Sequence, residues 1–180
     1  MRITGGALRG RNLAAPPDNR VRPTSDRVRE ALFSSLGPLD GARVLDLFAG
    51  SGALAIEALS RGASSAVLVE HDARAAATIR ANLEALGLAQ PQATLLVLPA
   101  AAALSTALTR GDAYDLVFLD PPYRQAPDLG PDLAAALVPL LAAGARVVTE
   151  SDRRAPLDLP LTVIHERRYG DTLIRIHAAA

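Results

Sequence analysis

Residues 42–54 read Ala-Arg-Val-Leu-Asp-Leu-Phe-Ala-Gly-Ser-Gly-Ala-Leu, an apolar run that reaches Asp46 and passes at once into glycines at 50 and 52. Such a run predicts a strand, and the two glycines predict a tight strand-to-helix turn where backbone can approach a ligand closely. A helix beginning near Gly52 presents unpaired N–H groups at its first turn. The next apolar run, Ala66 to Val69, is closed by Glu70, 24 residues after Asp46. An acidic side chain in that place accepts from both hydroxyls of a ribose. A nucleoside-bearing cofactor is implied, although Gly50-x-Gly52-x-x-Ala55 by itself also fits a dinucleotide fingerprint.

Outward from this stretch, strand-like and helix-like runs alternate. Strands are predicted near 43–47, 65–69, 93–98, 115–119 and 144–150, with helices near 52–61, 73–86, 100–109 and 130–142. This order argues for an α/β fold with a mostly parallel sheet covered on both faces. Leu161 to Arg168 and Asp171 to His177 are joined only through Tyr169-Gly170, too short for a parallel crossover, so they predict an antiparallel hairpin at the sheet edge. Before the sheet, Thr24 is placed to cap a helix reaching about Leu36, ended by Gly37-Pro38. Residues 1–23, with glycines at 5, 6 and 10 and a Pro16-Pro17-Asp18-Asn19 break, read as a hairpin extension of a domain spanning 24–180.

A second motif carries chemistry. Asp120-Pro121-Pro122-Tyr123 follows the apolar run Leu116 to Leu119. The exocyclic amine of a nucleobase is a poor nucleophile, because its lone pair is delocalised into the ring. Two acceptors aimed at its N–H bonds free that pair; Asp120 offers a carboxylate oxygen and Pro121 a carbonyl. Consecutive prolines stiffen the backbone, so the acceptors are placed before substrate arrives, and Tyr123 offers a face on which the base stacks. Dehydrogenases have no use for this tetrapeptide. Together the two motifs favour S-adenosylmethionine over NAD. The reaction they suggest is direct displacement at the sulfonium methyl, and the absence of cysteine excludes a route through a thiolate adduct.

These motifs, preceded by Arg2-Ile3-Thr4-Gly5-Gly6-Ala7-Leu8-Arg9-Gly10-Arg11 and by Arg22-Pro23-Thr24-Ser25-Asp26-Arg27-Val28-Arg29-Glu30, resemble the 16S rRNA (guanine(966)-N2)-methyltransferase family over nearly the whole chain. The resemblance implies a Rossmann-like class I methyltransferase with a seven-stranded sheet, a guanine N2 target, and 16S rRNA of an assembled or assembling small ribosomal subunit as partner. It implies that Asp46, Phe48, Gly50, Ser51, Gly52, Glu70 and His71 surround the S-adenosylmethionine. Asp120, Pro121, Pro122 and Tyr123 serve catalysis, and Arg9, Arg11, Arg22 and Arg27 hold RNA. One departure stands out. Where the family often carries Asp or Asn near the adenine ring, this chain reads Leu98-Pro99-Ala100-Ala101, so a backbone contact is expected instead of a side chain at Ala100.

Composition agrees. At 180 residues and 49% hydrophobic content, the chain buries a substantial core without disulfides or metals. With no cysteine and three scattered histidines, no metal site is expected. The absence of a signal sequence or membrane-length apolar run gives a cytoplasmic location as the expectation, and a monomer. Net charge is zero but uneven. Residues 1–30 hold seven arginines against three acids, which suggests a phosphate-binding surface at the N-terminus. His71 and Asp72 read as residues that open a helix rather than as catalysts, and Tyr169 as a surface residue. Three alternatives stay open: an adenine-N6 methyltransferase on DNA or RNA, an NAD-dependent dehydrogenase, and a non-enzymatic RNA-binding module.

Overall fold

From β1 (Arg43–Asp46) the chain steps outward through β2 (Ser65–Val69) to β3 (Ala93–Leu96). It then returns past β1 to lay β4 (Tyr114–Leu119) and β5 (Leu141–Asp152) on the other side. β6 (Thr162–Tyr169) and β7 (Thr172–Ala178) complete a seven-stranded sheet of order β3-β2-β1-β4-β5-β7-β6. All pairings are parallel except those of β7 with β5 and β6. The computed structural model describes residues 1–15, 25–121 and 126–179; the Pro16–Asn19 break, Arg22, Thr24, Pro122 and Tyr123 lie outside them.

The central strands are apolar on both sides because helices cover both. Val44, Ala66, Leu68, Leu116, Phe118 and Val148 join one core, packed by α1 (Asp26–Leu36), α2 (Ala53–Ser60) and α3 (Ala73–Leu86). Leu45, Leu47, Val69, Val117, Leu119 and Val147 alternate with them and face the other core, built with α4 (Ala100–Arg110) and α5 (Ala126–Leu137). The reversal of strand order between β1 and β4 opens a crevice beyond their carboxyl ends, the usual ligand position in a doubly wound sheet.

Several boundaries differ from the sequence reading: β3 stops at Leu96 rather than 98, and β5 runs over Leu141–Asp152 rather than 144–150. Ser25, not Thr24, caps α1: its hydroxyl accepts from the Val28 N–H at 3.3 Å. α5 begins at Ala126 rather than near 130 and carries Pro131 inside it, and a 3-10 turn at Val138–Leu140 leads into β5. Leu133, Ala134 and Leu137 of that helix are buried, and their packing offsets the hydrogen bond that proline cannot donate.

The N-terminal segment folds back on itself and onto α2. Ile3 N–H donates to the Arg11 carbonyl at 3.0 Å, Gly10 N–H to Ile3 at 2.9 Å, and Leu13 N–H to Met1 at 2.9 Å, with Ile3 and Leu13 buried in the core. Glu57 of α2 is its anchor. Its carboxylate accepts from the Thr4 N–H, the Thr4 hydroxyl and the Gly5 N–H, each at 2.8 Å, and from Arg61 at 2.8 Å and Arg29 at 3.3 Å. Arg29, fully buried on α1, also binds the Arg2 carbonyl and Asp26. Burial works to raise the Glu57 carboxyl, but the Thr4 N–H, Arg61 and the Thr4 hydroxyl outweigh it and hold the group below its usual 4.5.

Glu57→Gln is expected to destabilise the fold by about 3 to 5 kcal/mol near neutral pH, since it strands two arginine charges in or near the interior. The wild-type carboxyl is depressed, so its contribution is present above the ordinary carboxylate range and is lost as pH falls through its lowered value. Urea unfolding midpoints of the two proteins should therefore be well apart at pH 7 and approach each other below pH 4.5; a constant gap contradicts the assignment.

Candidate active site

Four carboxyls collect at the carboxyl ends of four adjacent strands: Glu70 after β2, Asp46 ending β1, Asp120 after β4, and Glu150 near the end of β5. The strand alternation places them together. Asp46 and Glu150 have the same parity as Val44 and Val148, whose side chains face the α1–α2–α3 core, and Glu70 and Asp120 continue that parity beyond Leu68 and Phe118. Asp46 pairs in register with Phe118, and Phe118 with Val148, so Asp120 and Glu150 sit one step further on in neighbouring strands.

Burial, and after it the nearness of like charges, raises two of these carboxyls. Asp46 is 1% exposed, and burial pushes its carboxyl up to about 7; the Ala55 and Phe48 N–H groups oppose this and Glu70 adds to it. Its Oδ1 has no hydrogen-bond partner among the described residues. Asp120 is partly exposed at the strand end but densely surrounded. That desolvation first, then the charges of Glu150 and Asp46, raise its carboxyl well above the ordinary range.

The glycine loop is held from both sides. Glu70 accepts from the Gly50 N–H at 2.9 Å and from the Asp72 N–H at 2.8 Å, with His71 Nδ1 3.4 Å away and largely exposed. Each carboxylate oxygen keeps a second lone pair for a hydroxyl. Asn82 of α3, buried, donates to the Ser51 carbonyl at 2.9 Å and exchanges hydrogen bonds with Ala14 at 2.8 and 3.1 Å, tying loop, helix and N-terminal segment together. Asp72 caps α3 through the Arg74 and Ala75 N–H groups, as a residue opening that helix should.

The two glycines have different duties. A Cβ on Gly50, at φ 56°, meets nothing within 4 Å, so open space lies there for a ligand. At Gly52, φ 79°, a Cβ would stand 3.0 Å from Leu68 and 3.3 Å from Ile56. The missing side chain at Gly52 therefore makes room for the core. The expected unpaired N–H groups are also partly used, because Gly52 donates to Ala49 at 2.6 Å and Ala55 serves Asp46.

Of the other residues singled out, Phe48 packs on the second core and Pro121 is buried at the crevice. Tyr169, expected at the surface, is half-buried against the first core. Pro99 opens α4 with its carbonyl, leaving Ala100 in the first turn without a polar side chain. Arg9 and Arg27 are exposed, whereas Arg11 donates to the Ala85 carbonyl near the end of α3 at 2.8 Å, so part of its hydrogen-bonding capacity is used within the chain. Sequence reasoning missed Glu150 and Asn82. An acid inside an apolar strand was a signal for the first; nothing in the spacing marked the second.

A groove of about 390 Å³ lined by Arg43, Val67, Thr106, Arg110 and Tyr114 lies at the opposite, amino ends of the strands, away from the carboxyls. Among the described residues, no group of acids, histidines or cysteines is arranged to hold a metal ion, and no helix is long and apolar enough to cross a membrane.

The geometry has close counterparts. Ribosomal RNA small subunit methyltransferase D of Haemophilus influenzae is 33% identical over 186 residues, covering 98% of this chain and 93% of that protein. The Escherichia coli K12 protein of the same name is 42% identical over 126 residues, 69% of this chain and 61% of its own length. The solved Escherichia coli yhhF structure superposes with a TM-score of 0.83 at 35% identity, covering 99% of this chain and 97% of that one. The fold is that of the S-adenosylmethionine-dependent methyltransferases. With residues 1–178 matching the family model described as conserved hypothetical protein 95, the chain belongs to that family, which includes rRNA methyltransferases.

Proposed function

We propose that this chain transfers a methyl group from S-adenosylmethionine to the exocyclic N2 amine of a guanine in small-subunit rRNA. The observation that carries the reading is the crevice itself: open space beside the Gly50 turn, a carboxylate at Glu70 bound to that turn, a buried Asp46 oxygen without a hydrogen-bond partner among the described residues, and Asp120 beside them. When bound, the donor supplies an electrophilic methyl on a positively charged sulfur. Gly50 and Ser51 give it backbone to lie against, and Glu70 takes the ribose hydroxyls. Asp46 faces it with a carboxyl whose affinity for protons is raised first by burial and then by Glu70. Asp120 and the Pro121 carbonyl hold the amine by its hydrogens and aim its lone pair at the methyl. Pro122 and Tyr123 complete the base-binding side in this reading, as Phe48 and His71 border the donor. Likeness to methyltransferase D supports the small-subunit rRNA substrate, and the resemblance of the N-terminal motifs supports the guanine N2 position; the chain is read as acting as a monomer in the cytoplasm. Arg9 and Arg27, exposed and without an ion-pair partner among the described residues, are the arginines placed to meet phosphate, with Arg22 between them in sequence.

Three outcomes test this. Gly50→Asn, a residue that tolerates a left-handed backbone, should weaken donor binding by about tenfold or more, about 1.4 kcal/mol, in calorimetry, with little change in melting temperature; Gly52→Val should instead unfold the protein. Asp120→Ala should leave donor affinity nearly intact and lower single-turnover methylation by roughly one to two decades, the worth of a charge-assisted hydrogen bond of about 1.5 to 3 kcal/mol. An unchanged rate makes Asp120 a turn residue. Finally, Arg9→Ala with Arg27→Ala should weaken binding to small subunits, sparing the donor, and lower the salt slope by about 0.7 to 0.9 for each phosphate that is no longer neutralised. Wild-type affinity and slope in that variant remove these arginines from the RNA surface.

A further inference from the structure

Asn82 is 4% exposed and stands between Ile79 and Leu83 on the core face of α3, where helical spacing calls for an apolar side chain. Its amide nitrogen donates to the Ser51 carbonyl at 2.9 Å and to the Ala14 carbonyl at 3.1 Å, and its oxygen accepts from the Ala14 N–H at 2.8 Å. Turning the amide over would set its oxygen against two carbonyls, so these bonds allow one orientation. Three residues on and on the same face of the helix, the Ala85 carbonyl accepts from Arg11 at 2.8 Å. Helix α3 therefore grips the returning arm of the N-terminal segment, residues 11–14, at two points, and one of them is shared with the glycine loop. The first arm is held separately. Glu57 takes the Thr4 and Gly5 N–H groups, the Ala7 N–H donates to the Ser60 carbonyl at 2.7 Å, and the Ser60 hydroxyl accepts from the Leu8 N–H at 2.9 Å and donates to the Gly5 carbonyl at 2.6 Å. Those contacts reach the body of α2, beyond its first turn.

We propose that Asn82 is a positioning residue of the donor site: through it the returning arm holds the Ser51 carbonyl in place, so that seating of the arm and binding of S-adenosylmethionine favour each other. This rests on the placement of the donor at Gly50 and Ser51 given above. A planar amide bonded to both elements loses bonds when either moves, so displacing the loop loosens Ala14 and lifting the arm loosens Ser51. Surface segments open locally at a lower cost than global unfolding, which gives the arm an open state that a bound donor disfavours. A ligand that needs the loop in place then favours the seated arm, and by linkage the seated arm raises donor affinity by the same factor. RNA held by this segment, which carries the exposed Arg9, acts on donor affinity by the same route.

The test uses the full chain and S-adenosylmethionine without RNA, in wild type, Asn82→Ala, Ala14→Pro and Leu86→Ala. Asn82→Ala leaves room in which water satisfies the freed polar groups, and the Glu57 and Ser60 contacts keep the first arm on α2. Ala14→Pro removes the N–H that Asn82 accepts, at an exposed residue of negative φ. Leu86→Ala loosens α3 against the core without touching Ser51 or Ala14. Calorimetry should show donor affinity weaker by about fivefold or more in Asn82→Ala, weaker in Ala14→Pro, and kept in Leu86→Ala. Exchange of the Leu13 amide, which donates to the Met1 carbonyl, is a readout that mere support of the fold does not move. Adding donor should slow it by about fivefold or more in wild type and Leu86→Ala, less in Ala14→Pro, and not at all in Asn82→Ala. Wild-type donor affinity in folded Asn82→Ala, an equal loss in Leu86→Ala, or a Leu13 response that is missing from wild type or survives in Asn82→Ala overturns the proposal. Should Asn82→Ala fail to fold, Ala14→Pro decides by the same two measurements. Gly50→Asn keeps the two readings apart: wild-type donor affinity there removes the cradle, whereas weakened binding there beside wild-type binding in Asn82→Ala removes Asn82 alone.

Discussion

The Glu57 carboxylate is the constraint on which the arrangement of the active crevice depends. It lies in the middle of α2, the helix that begins at Gly52, and it is buried where an unpaired charge would cost several kcal/mol. Its partners come from three places: Thr4 and Gly5 of the N-terminal segment, Arg29 of α1 and Arg61 of α2 itself. A buried charge satisfied in this way permits little sliding, because any displacement of one element strips hydrogen bonds from the others. Asn82 does the same from the other flank, joining Ser51 of the glycine loop to Ala14. The first turn of α2, and with it the Gly50 cradle, is thus fixed relative to the N-terminal segment that carries the exposed Arg9.

Fixing the frame allows the opposite of stability at the strand ends. Asp46, Glu70, Asp120 and Glu150 are brought to one side of the sheet at its carboxyl ends, where burial first and neighbouring negative charge second raise the carboxyls of Asp46 and Asp120. Stability accepts such a cluster only where something positive is to be bound or a proton is to be held. A sulfonium donor is the one and a methylated amine shedding its proton is the other, so both halves of the proposed reaction draw on the same unfavourable charge. The groove at the amino ends carries no comparable tension: Arg43 and Asp115 there are paired at 2.9 Å.

Much of this was legible in the sequence because it depends on short-range rules. Apolar runs of four to six residues ended by an acid marked β1, β2 and β4, and the Tyr169-Gly170 link forced an antiparallel hairpin. Asp46, Glu70 and Asp120 announced themselves by standing at the ends of those runs. What escaped depends on long-range contact. Glu57 looks like any acid of a short helix until Thr4 and Gly5 are found against it, and Asn82 is an ordinary helix residue until Ser51 and Ala14 are placed beside it. The glycines show the same limit: their spacing predicted the turn but not that Gly52 turns inward to Leu68 while Gly50 turns outward. Arg11 escapes for this reason too, since the carbonyl that claims it lies on α3, 74 residues away.

Glu150 joins the two kinds of information. In sequence it closes Arg146-Val147-Val148-Thr149-Glu150 as Glu70 closes Ala66 to Val69, at the end of the strand expected over 144–150, although the strand itself runs on to Asp152. Only the parallel register with β4 reveals that this acid is level with Asp120. Strand β7 then explains why an acid is tolerated inside a strand: antiparallel pairing continues through Glu150 opposite Ile174 and on to Asp152 opposite Thr172, so the backbone of β5 is bonded past the point where its side chains have entered the crevice. The C-terminal hairpin therefore does more than close the sheet edge. By extending β5 beyond the last residue of β4, it carries a carboxyl to the level of Asp120 and holds it there on a rigid strand, where a loop would leave the spacing of the two undefined.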